Sequence, residues 1–210
     1  MSICLRFVSY VITCLCLLTI AKADGVTFST GNNPQPDQQN VLLNNGAIGN
    51  TVSGLTNQTD LQVSFGSTTD VLVIPSGGQA RVEASDGILN NVTISVPGGV
   101  FRSLIVNPFF GSGTATVDVT TANNEIFSFS YDLGNGQNFL TIFGAQGTSF
   151  SSVTINAPGG FTDLRQPRIA GIAGIPGVTG VGEIPEPASL FLLGVGLVGI
   201  AKRMRRRSRE

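Results

Sequence analysis

The sequence predicts an all-β protein, with a single antiparallel β-sandwich of jelly-roll-like order over residues 24–169. Apolar and polar residues alternate with a period of two in short runs, as strands with one buried face require. Gly, Asn, Pro and Ser interrupt these runs at intervals of roughly ten residues, which is typical of sandwiches and barrels. No stretch of this region repeats its apolar residues with the helical period of about 3.6.

The strands follow from this alternation in chain order. A short strand at residues 26–28 precedes a polar loop at 31–40 that contains two prolines. Two continuous apolar runs, at 71–74 and 104–106, predict central strands buried on both faces. The apolar positions of the alternating runs are Leu61, Val63, Phe65, Val82, Ala84, Val92, Ile94, Val96, Ala115, Val117 and Val119.

A hairpin is predicted over residues 127–143. Phe127, Phe129, Tyr131 and Leu133 share one face of its first strand, and residues 137–143 run back beside it. The Asn-Gly pair between them favours a type I′ turn, because both central residues of that turn need a positive φ. Tyr131 lies on the apolar face, so we expect it in the core rather than on a ligand surface.

Residues 92–99 (VTISVPGG) resemble residues 153–160 (VTINAPGG). One interpretation is a pair of similar strand–turn–strand units, with one in each sheet of the sandwich. The other is common turn chemistry, since Pro and Gly recur in turns of unrelated proteins. Two copies are too few for a solenoid.

The first 23 residues predict a secretory signal peptide. Arg6 precedes an apolar run at 7–20, and Ala21 and Ala23 form an A-x-A site with cleavage before Asp24. All three cysteines, Cys4, Cys14 and Cys16, lie in this segment. The exported protein therefore has no disulfides, and its stability must come from packing.

Composition excludes several functions. Residues 24–183 carry 11 acidic and four basic residues, a balance of −7, which argues against a nucleic-acid partner. The chain has no histidine, which removes Ser-His-Asp catalysis and the usual zinc sites. We predict no enzyme and no cofactor. The remaining alternatives are a catalytic carboxylate pair, with Glu83, Asp86, Asp132 and Asp163 as candidates, and calcium bound by loop carboxylates such as Asp60, Asp70, Asp86 and Asp132.

Four residues are candidates for ligand binding: Phe109, Phe110, Arg165 and Arg168. Adjacent aromatic residues in a strand point to opposite faces, so one of the two phenylalanines can be exposed to a sugar ring. Arg165 and Arg168 are half of the basic residues in 24–183 and suit an anionic sugar. The alternative for these arginines is ion pairing with the surrounding acidic residues.

The C-terminal region has four consecutive parts: a Gly-rich spacer at 170–183, the motif Pro185-Glu186-Pro187, an apolar run at 188–201 and a basic cluster. As a helix, the 14-residue run would span about 21 Å, short of a hydrocarbon core of about 30 Å. The basic cluster should stay in the cytoplasm by the positive-inside rule, which places the body on the other side.

Together, the parts at 184–210 resemble the PEP-CTERM sorting signal of Gram-negative bacteria. The resemblance implies recognition by an integral-membrane exosortase, through Pro185, Glu186 and Pro187 and the basic residues Arg205, Arg206 and Arg207. It also implies transient anchoring in the inner membrane by 188–201, processing near the Pro-Glu-Pro motif, and delivery to the cell surface or extracellular matrix.

The sequence therefore predicts an exported surface or matrix protein whose body is a structural or interaction module. The alternative is a carbohydrate-binding module for exopolysaccharide, with a calcium requirement left open. The expected partners are exosortase, exopolysaccharide and other surface proteins.

Overall fold

The structure, a computed structural model, describes residues 25–175 apart from Gly78 and Gln146. This part of the chain contains 13 strands and no helix, and every strand pairing is antiparallel, which confirms the predicted class. The strands are β1 (Gly25–Thr30), β2 (Gln39–Leu42), β3 (Ile48–Gly49), β4 (Thr51–Thr56), β5 (Gln62–Gly66), β6 (Leu72–Val73), β7 (Arg81–Ala84), β8 (Leu89–Ser95), β9 (Ser103–Gly111), β10 (Gly113–Thr121), β11 (Ile126–Leu133), β12 (Leu140–Ala145) and β13 (Phe150–Ala170).

No helix among the described residues has the length and apolarity needed to cross a membrane. The predicted signal peptide, the Pro-Glu-Pro motif, the apolar run 188–201 and the basic cluster lie outside the described residues.

The 21-residue strand β13 joins the whole sheet. Its first half pairs with β8 on one edge and β10 on the other, and its second half pairs with β2 and β7 on one edge and β9 on the other. Strands β4 and β5 connect β2 back to β8, so the sheet folds over on itself around a sandwich-like core. Between the two halves the register with β8 shifts, and Gly160 takes a φ of 70° that favours glycine.

The apolar positions predicted from alternation form this core, and most are fully buried. The run at 104–106 is confirmed as a central strand, since it is buried on both faces between β12 and β13. The prediction for 71–74 is wrong. Leu72 and Ile74 are buried but Val71 is 41% exposed, because β6 has only two residues and buries one face.

The first strand of the predicted hairpin is present in the structure, but its predicted pairing partner is wrong. β11 buries Tyr131 and Leu133 as expected, but it pairs with β10, and β12 pairs with β1 and β9. The chain crosses between different parts of the sheet at 134–139 instead of turning back. The Asn138 side chain stabilises this crossing: it accepts a hydrogen bond from Gly134 N (2.7 Å) and donates to the carbonyls of Gly134 (2.9 Å) and Pro108 (2.8 Å).

The two similar octapeptides are neighbours in the sheet, and the expectation of one in each sheet is wrong. Val92 pairs with Ile155, and the hydroxyls of Thr93 and Thr154 are 2.9 Å apart. The first Pro-Gly-Gly forms a turn, in which Gly99 N donates to Val96 O, while the second lies within β13 at its bend. The same three residues therefore serve two different conformations.

Asp70 links the loop after β5 to β8 through hydrogen bonds. Its buried carboxylate accepts hydrogen bonds from the backbone amides of Asn90 (3.0 Å) and Asn91 (3.1 Å) and from the Thr69 hydroxyl (2.8 Å). Burial by itself would raise the pKa of Asp70, but the hydrogen bonds from Thr69, Asn90, Asn91 and Ser67 lower it below its usual value.

The first residues of the predicted spacer pack on the body. Val100 and Ala173 exchange backbone hydrogen bonds of 2.9 Å in each direction, and Ile172 is buried. Ile175 also packs against the core. The described chain therefore stays on the body as far as Ile175.

Candidate functional site

Three of the four predicted ligand-binding residues form one cluster. The guanidinium carbon of Arg165 lies 3.4 Å from the centre of the Phe109 ring, and the Phe109 and Phe110 rings meet edge to face with centroids 4.4 Å apart. We call Phe109, Phe110, Asp163 and Arg165 the aromatic cluster. Arg168 is not part of it, since its Nη1 donates to Asn32 Oδ1 at 3.1 Å in an exposed contact.

Arg165 is held by an acidic neighbour. Its Nε and Nη2 donate to the two carboxylate oxygens of Asp163, at 2.5 and 2.9 Å, and Asp163 is only 2% exposed. A two-point contact of this kind orients the planar guanidinium against the Phe109 ring. Arg165 therefore has the ion-pair arrangement that was the alternative to binding an anionic sugar.

Phe110 is the exposed member of the aromatic cluster. The residue is 50% exposed and its φ is 50°, in a region that bulky residues rarely adopt. Because this φ departs from extended geometry, Phe109 and Phe110 contact each other and do not point to opposite faces as predicted. Phe110 N donates to Gly136 O at 2.9 Å, which helps to hold the conformation. Such a conformation costs on the order of 1–3 kcal/mol and is concentrated at functional sites.

Strand pairing also brings two carboxylates together. Glu83 of β7 lies directly opposite Asp163 of β13, although the residues are remote in the sequence. Sequence reasoning named both residues but could not pair them, because no local pattern shows that β7 pairs with β13. Each carboxylate is bonded to an arginine two positions away in its own strand, and the Arg81 Nε to Glu83 Oε2 distance is 3.1 Å. Arg165 occupies both oxygens of Asp163, so neither is free to protonate a leaving group.

The calcium candidates do not cluster. No three acidic side chains within the described ranges come close enough to share a metal ion. Asp132 accepts a hydrogen bond from the Thr114 hydroxyl at 2.7 Å, and Asp86 accepts one from Ile88 N at 3.2 Å. These carboxylates serve a cross-strand pair and a turn.

A cleft of about 310 Å³ lies where the ends of β1 and β11 meet the crossing at 134–139. The backbone bond from Gly31 N to Phe139 O (2.6 Å) ties two of its walls together. We call it the Tyr131 cleft. Its lining residues are Thr30, Gly31, Tyr131, Asp132, Gln137, Asn138 and Phe139. Sequence reasoning missed this cleft, because its residues come from separate strands.

Tyr131 is part of an aromatic stack between β11 and β1. Its ring stacks on Phe129 (centroids 6.0 Å apart), which stacks on Phe28 of β1 (5.0 Å). Tyr131 is 9% exposed, which confirms its predicted place in the core. Its buried hydroxyl has no hydrogen-bond partner among the described residues. Burial raises the pKa of Tyr131 well above its ordinary value, because the phenolate would lose its solvation.

Residues 183–207 match the PEP-CTERM protein-sorting motif. The chain carries a PEP-CTERM sorting motif. The predicted resemblance is confirmed, and the motif indicates an exported protein that is sorted at the membrane by an exosortase. The match covers the tail alone and assigns nothing to the β body.

The sequence matches none of the curated proteins. Among solved structures, a family 29 carbohydrate-binding module from Piromyces equi is 9% identical, with a TM-score of 0.28 over 69% of this chain and 90% of that one. A mutant of the module CBM29-2 is also 9% identical, with a TM-score of 0.24 over 69% and 85% of the two chains. Likenesses at these TM-scores are too weak to support a statement about fold or ligand.

Proposed function

We propose that this protein is a surface or extracellular-matrix component whose β body acts as a structural or interaction module. The observation that carries the proposal is the sorting motif at 183–207, joined to a body in which every described strand pairs within one sheet. The proposed role is not enzymatic. The one pair of facing carboxylates in the candidate site, Glu83 and Asp163, is engaged by arginines, which supports this choice.

In this proposal the tail acts before the body. The signal peptide directs export, residues 188–201 anchor the chain in the inner membrane, and exosortase recognises the motif with the basic cluster. Two prolines flank Glu186 and keep it out of a helix, since each fixes its own φ and biases the residue before it toward extended geometry. An extended peptide next to the membrane is a suitable substrate for processing.

Replacing Pro185, Glu186 and Pro187 by alanine tests the sorting step. We expect this variant to remain uncleaved in the host membrane, as seen by fractionation and immunoblotting of the full chain. Alanine at Gly177, Val178 and Thr179 in the predicted spacer is the matched control and should be processed normally. Normal processing of the motif variant would contradict recognition by exosortase.

Carbohydrate binding is the second candidate function. The observation that favours it is Phe110, a half-exposed ring that the backbone holds in a strained conformation at the edge of the aromatic cluster. The edge-to-face contact with Phe109 restrains the Phe110 ring, which can therefore pack against the apolar face of a sugar with little further loss of side-chain entropy.

Co-sedimentation with exopolysaccharide from the producing bacterium tests this second function, with calcium and with a chelator. We expect saturable binding that falls about tenfold in Phe110→Ser, as the loss of one packed ring predicts. The control is Ile126→Ser, which alters an exposed apolar side chain on a different strand, β11. It should bind like the native protein. Binding in calcium alone would indicate a cation requirement, and no saturable binding in either condition would leave the structural role.

A further inference from the structure

The sequence contains two Asn-Gly pairs, Asn45-Gly46 and Asn135-Gly136, and the structure places them in different surroundings. We propose that Asn135 is a site of spontaneous covalent modification, at which the chain converts its own asparagine to isoaspartate or aspartate. Asn45 is protected from the same reaction by its hydrogen bonds. The reaction needs no enzyme, and water is its only co-reactant. It replaces a neutral amide by a carboxylate in the crossing at 134–139.

The reaction begins when the backbone nitrogen of the following residue attacks the side-chain amide carbon of asparagine. A bond forms between Gly136 N and Asn135 Cγ, and the Gly136 amide proton goes to the side-chain nitrogen, which leaves as ammonia. Water then opens the resulting succinimide. Opening at the side-chain carbonyl gives aspartate, and opening at the backbone carbonyl gives isoaspartate, whose main chain runs through the former side chain. Glycine favours the attack because it has no Cβ to crowd the nitrogen.

Both reacting groups of the second pair are unengaged. Asn135 is exposed, and its side chain makes no hydrogen bond to any residue that the structure describes. Gly136 N likewise donates to no acceptor in the described part of the chain. A methyl group added at Gly136 would meet nothing within 4 Å, so no neighbouring group covers this side of the glycine. The amide carbon and the attacking nitrogen can therefore approach each other without breaking a contact of their own.

Asn45 is also exposed and also precedes a glycine, but its side chain is held. Its Nδ2 donates to Ser53 O at 2.9 Å, and its Oδ1 accepts a hydrogen bond from Ala47 N at 3.1 Å. The reaction would break the first bond, because the bonded nitrogen leaves. It would disturb the second, because the amide carbon becomes tetrahedral in the transition state. The two pairs therefore differ in the contacts of the side-chain amide and not in exposure.

Isoaspartate at position 135 would act on Phe110. The modification adds one backbone atom between Gly134 and Gly136. Gly134 is held on one side of it, since its N and O both bond to the Asn138 side chain. On the other side, Gly136 O accepts the 2.9 Å bond from Phe110 N that helps to hold the positive φ of Phe110. Because Gly134 is held, the added atom displaces Gly136, and we expect the bond from Phe110 N to be lost.

Mass spectrometry of the full chain, purified in detergent and kept at mildly alkaline pH, tests the modification. Digestion at acidic pH stops the reaction before the peptides are measured. We expect Asn135 to deamidate about tenfold faster than Asn45, since two hydrogen bonds oppose the reaction at Asn45. Asn135→Gln is the control and should stay unmodified at this position, because glutamine forms the corresponding larger ring far more slowly. Equal rates at the two asparagines, or no reaction at Asn135, would overturn the proposal.

Hydrogen exchange of the Phe110 amide, followed by NMR, tests the effect on the crossing. We expect exchange about tenfold faster in the fraction that contains isoaspartate, as the loss of one hydrogen bond predicts. Asn135→Asp carries the new charge on an ordinary backbone and should exchange at the native rate. Native exchange in the isoaspartate fraction would overturn the predicted release of Phe110. Equally fast exchange in Asn135→Asp would also overturn it, because the added charge and not the added backbone atom would then be the cause.

Discussion

Asp70 offers a quantitative test of how the body is held together. Its buried carboxylate accepts hydrogen bonds from two backbone amides of β8 and from the Thr69 hydroxyl. A hydrogen bond to a charged acceptor contributes about 1.5–3 kcal/mol, and a buried donor left without a partner costs about 1–3 kcal/mol. Asp70→Ala leaves the amides of Asn90 and Asn91 without this acceptor, so we expect it to lower the free energy of unfolding by about 3 kcal/mol or more.

Asp70→Asn keeps one acceptor oxygen but removes the charge, and we expect a loss of about 1–2 kcal/mol at pH 7. The folded-state pKa of Asp70 is lowered, so the stabilisation by the ionised group is complete above the unfolded value of about 3.9. It is lost as the pH falls through the lower, folded value. The difference between native protein and Asp70→Asn should therefore be constant from pH 7 to about 5 and shrink below about 4.

Urea unfolding followed by far-UV circular dichroism measures both effects, since the chain has no tryptophan for a fluorescence assay. Asp37→Asn is the matched control, because Asp37 is exposed and also has a positive φ that asparagine tolerates. Unfolding of Asp70→Asn at the same urea midpoint as the native protein at pH 7 would refute this role of the Asp70 carboxylate. A stability difference between the two proteins that stays the same down to pH 3 would also refute it.

Two further predictions concern the candidate site. Tyr131→Phe should raise the melting temperature by about 2–4 °C in calorimetry, since it removes a buried hydroxyl without a partner, worth about 1 kcal/mol; an unchanged or lower temperature would contradict this. Arg165→Leu should lower the free energy of unfolding by about 3–5 kcal/mol in urea, because it leaves the buried carboxylate of Asp163 without its arginine. Arg168→Leu, at an exposed contact, should change it by less than about 0.5 kcal/mol, and equal losses would show that the ion pair has no such role.

Local patterns were sufficient to predict most strands. Val63 and Phe65 in β5 and Val117 and Val119 in β10 alternate with polar residues, and all four are fully buried. This works because successive side chains of a strand point to opposite faces, so burial on one side leaves its period in the sequence. The prediction of a central strand at 71–74 was wrong because apolar composition alone does not show whether a second face of a strand is covered.

Local sequence patterns did not predict which strands pair with each other. The Asn-Gly signal predicted that β11 would pair with β12, but residues 134–139 cross to another part of the sheet and β11 pairs with β10. The similar octapeptides likewise became direct neighbours through β8 and β13. Pairing depends on which apolar faces can close a common core, and that is a property of the whole chain.

The sequence by itself determined that this protein carries a membrane-sorting signal. The motif at 183–207 is one continuous stretch, and residues that act as a linear peptide can be read in order. Only the tertiary structure decided the candidate sites. Glu83 meets Asp163 through strand pairing, Phe110 is exposed through a positive φ, and the Tyr131 cleft forms from β1, β11 and the crossing at 134–139. Their positions follow from pairings between distant segments, which residue order does not record.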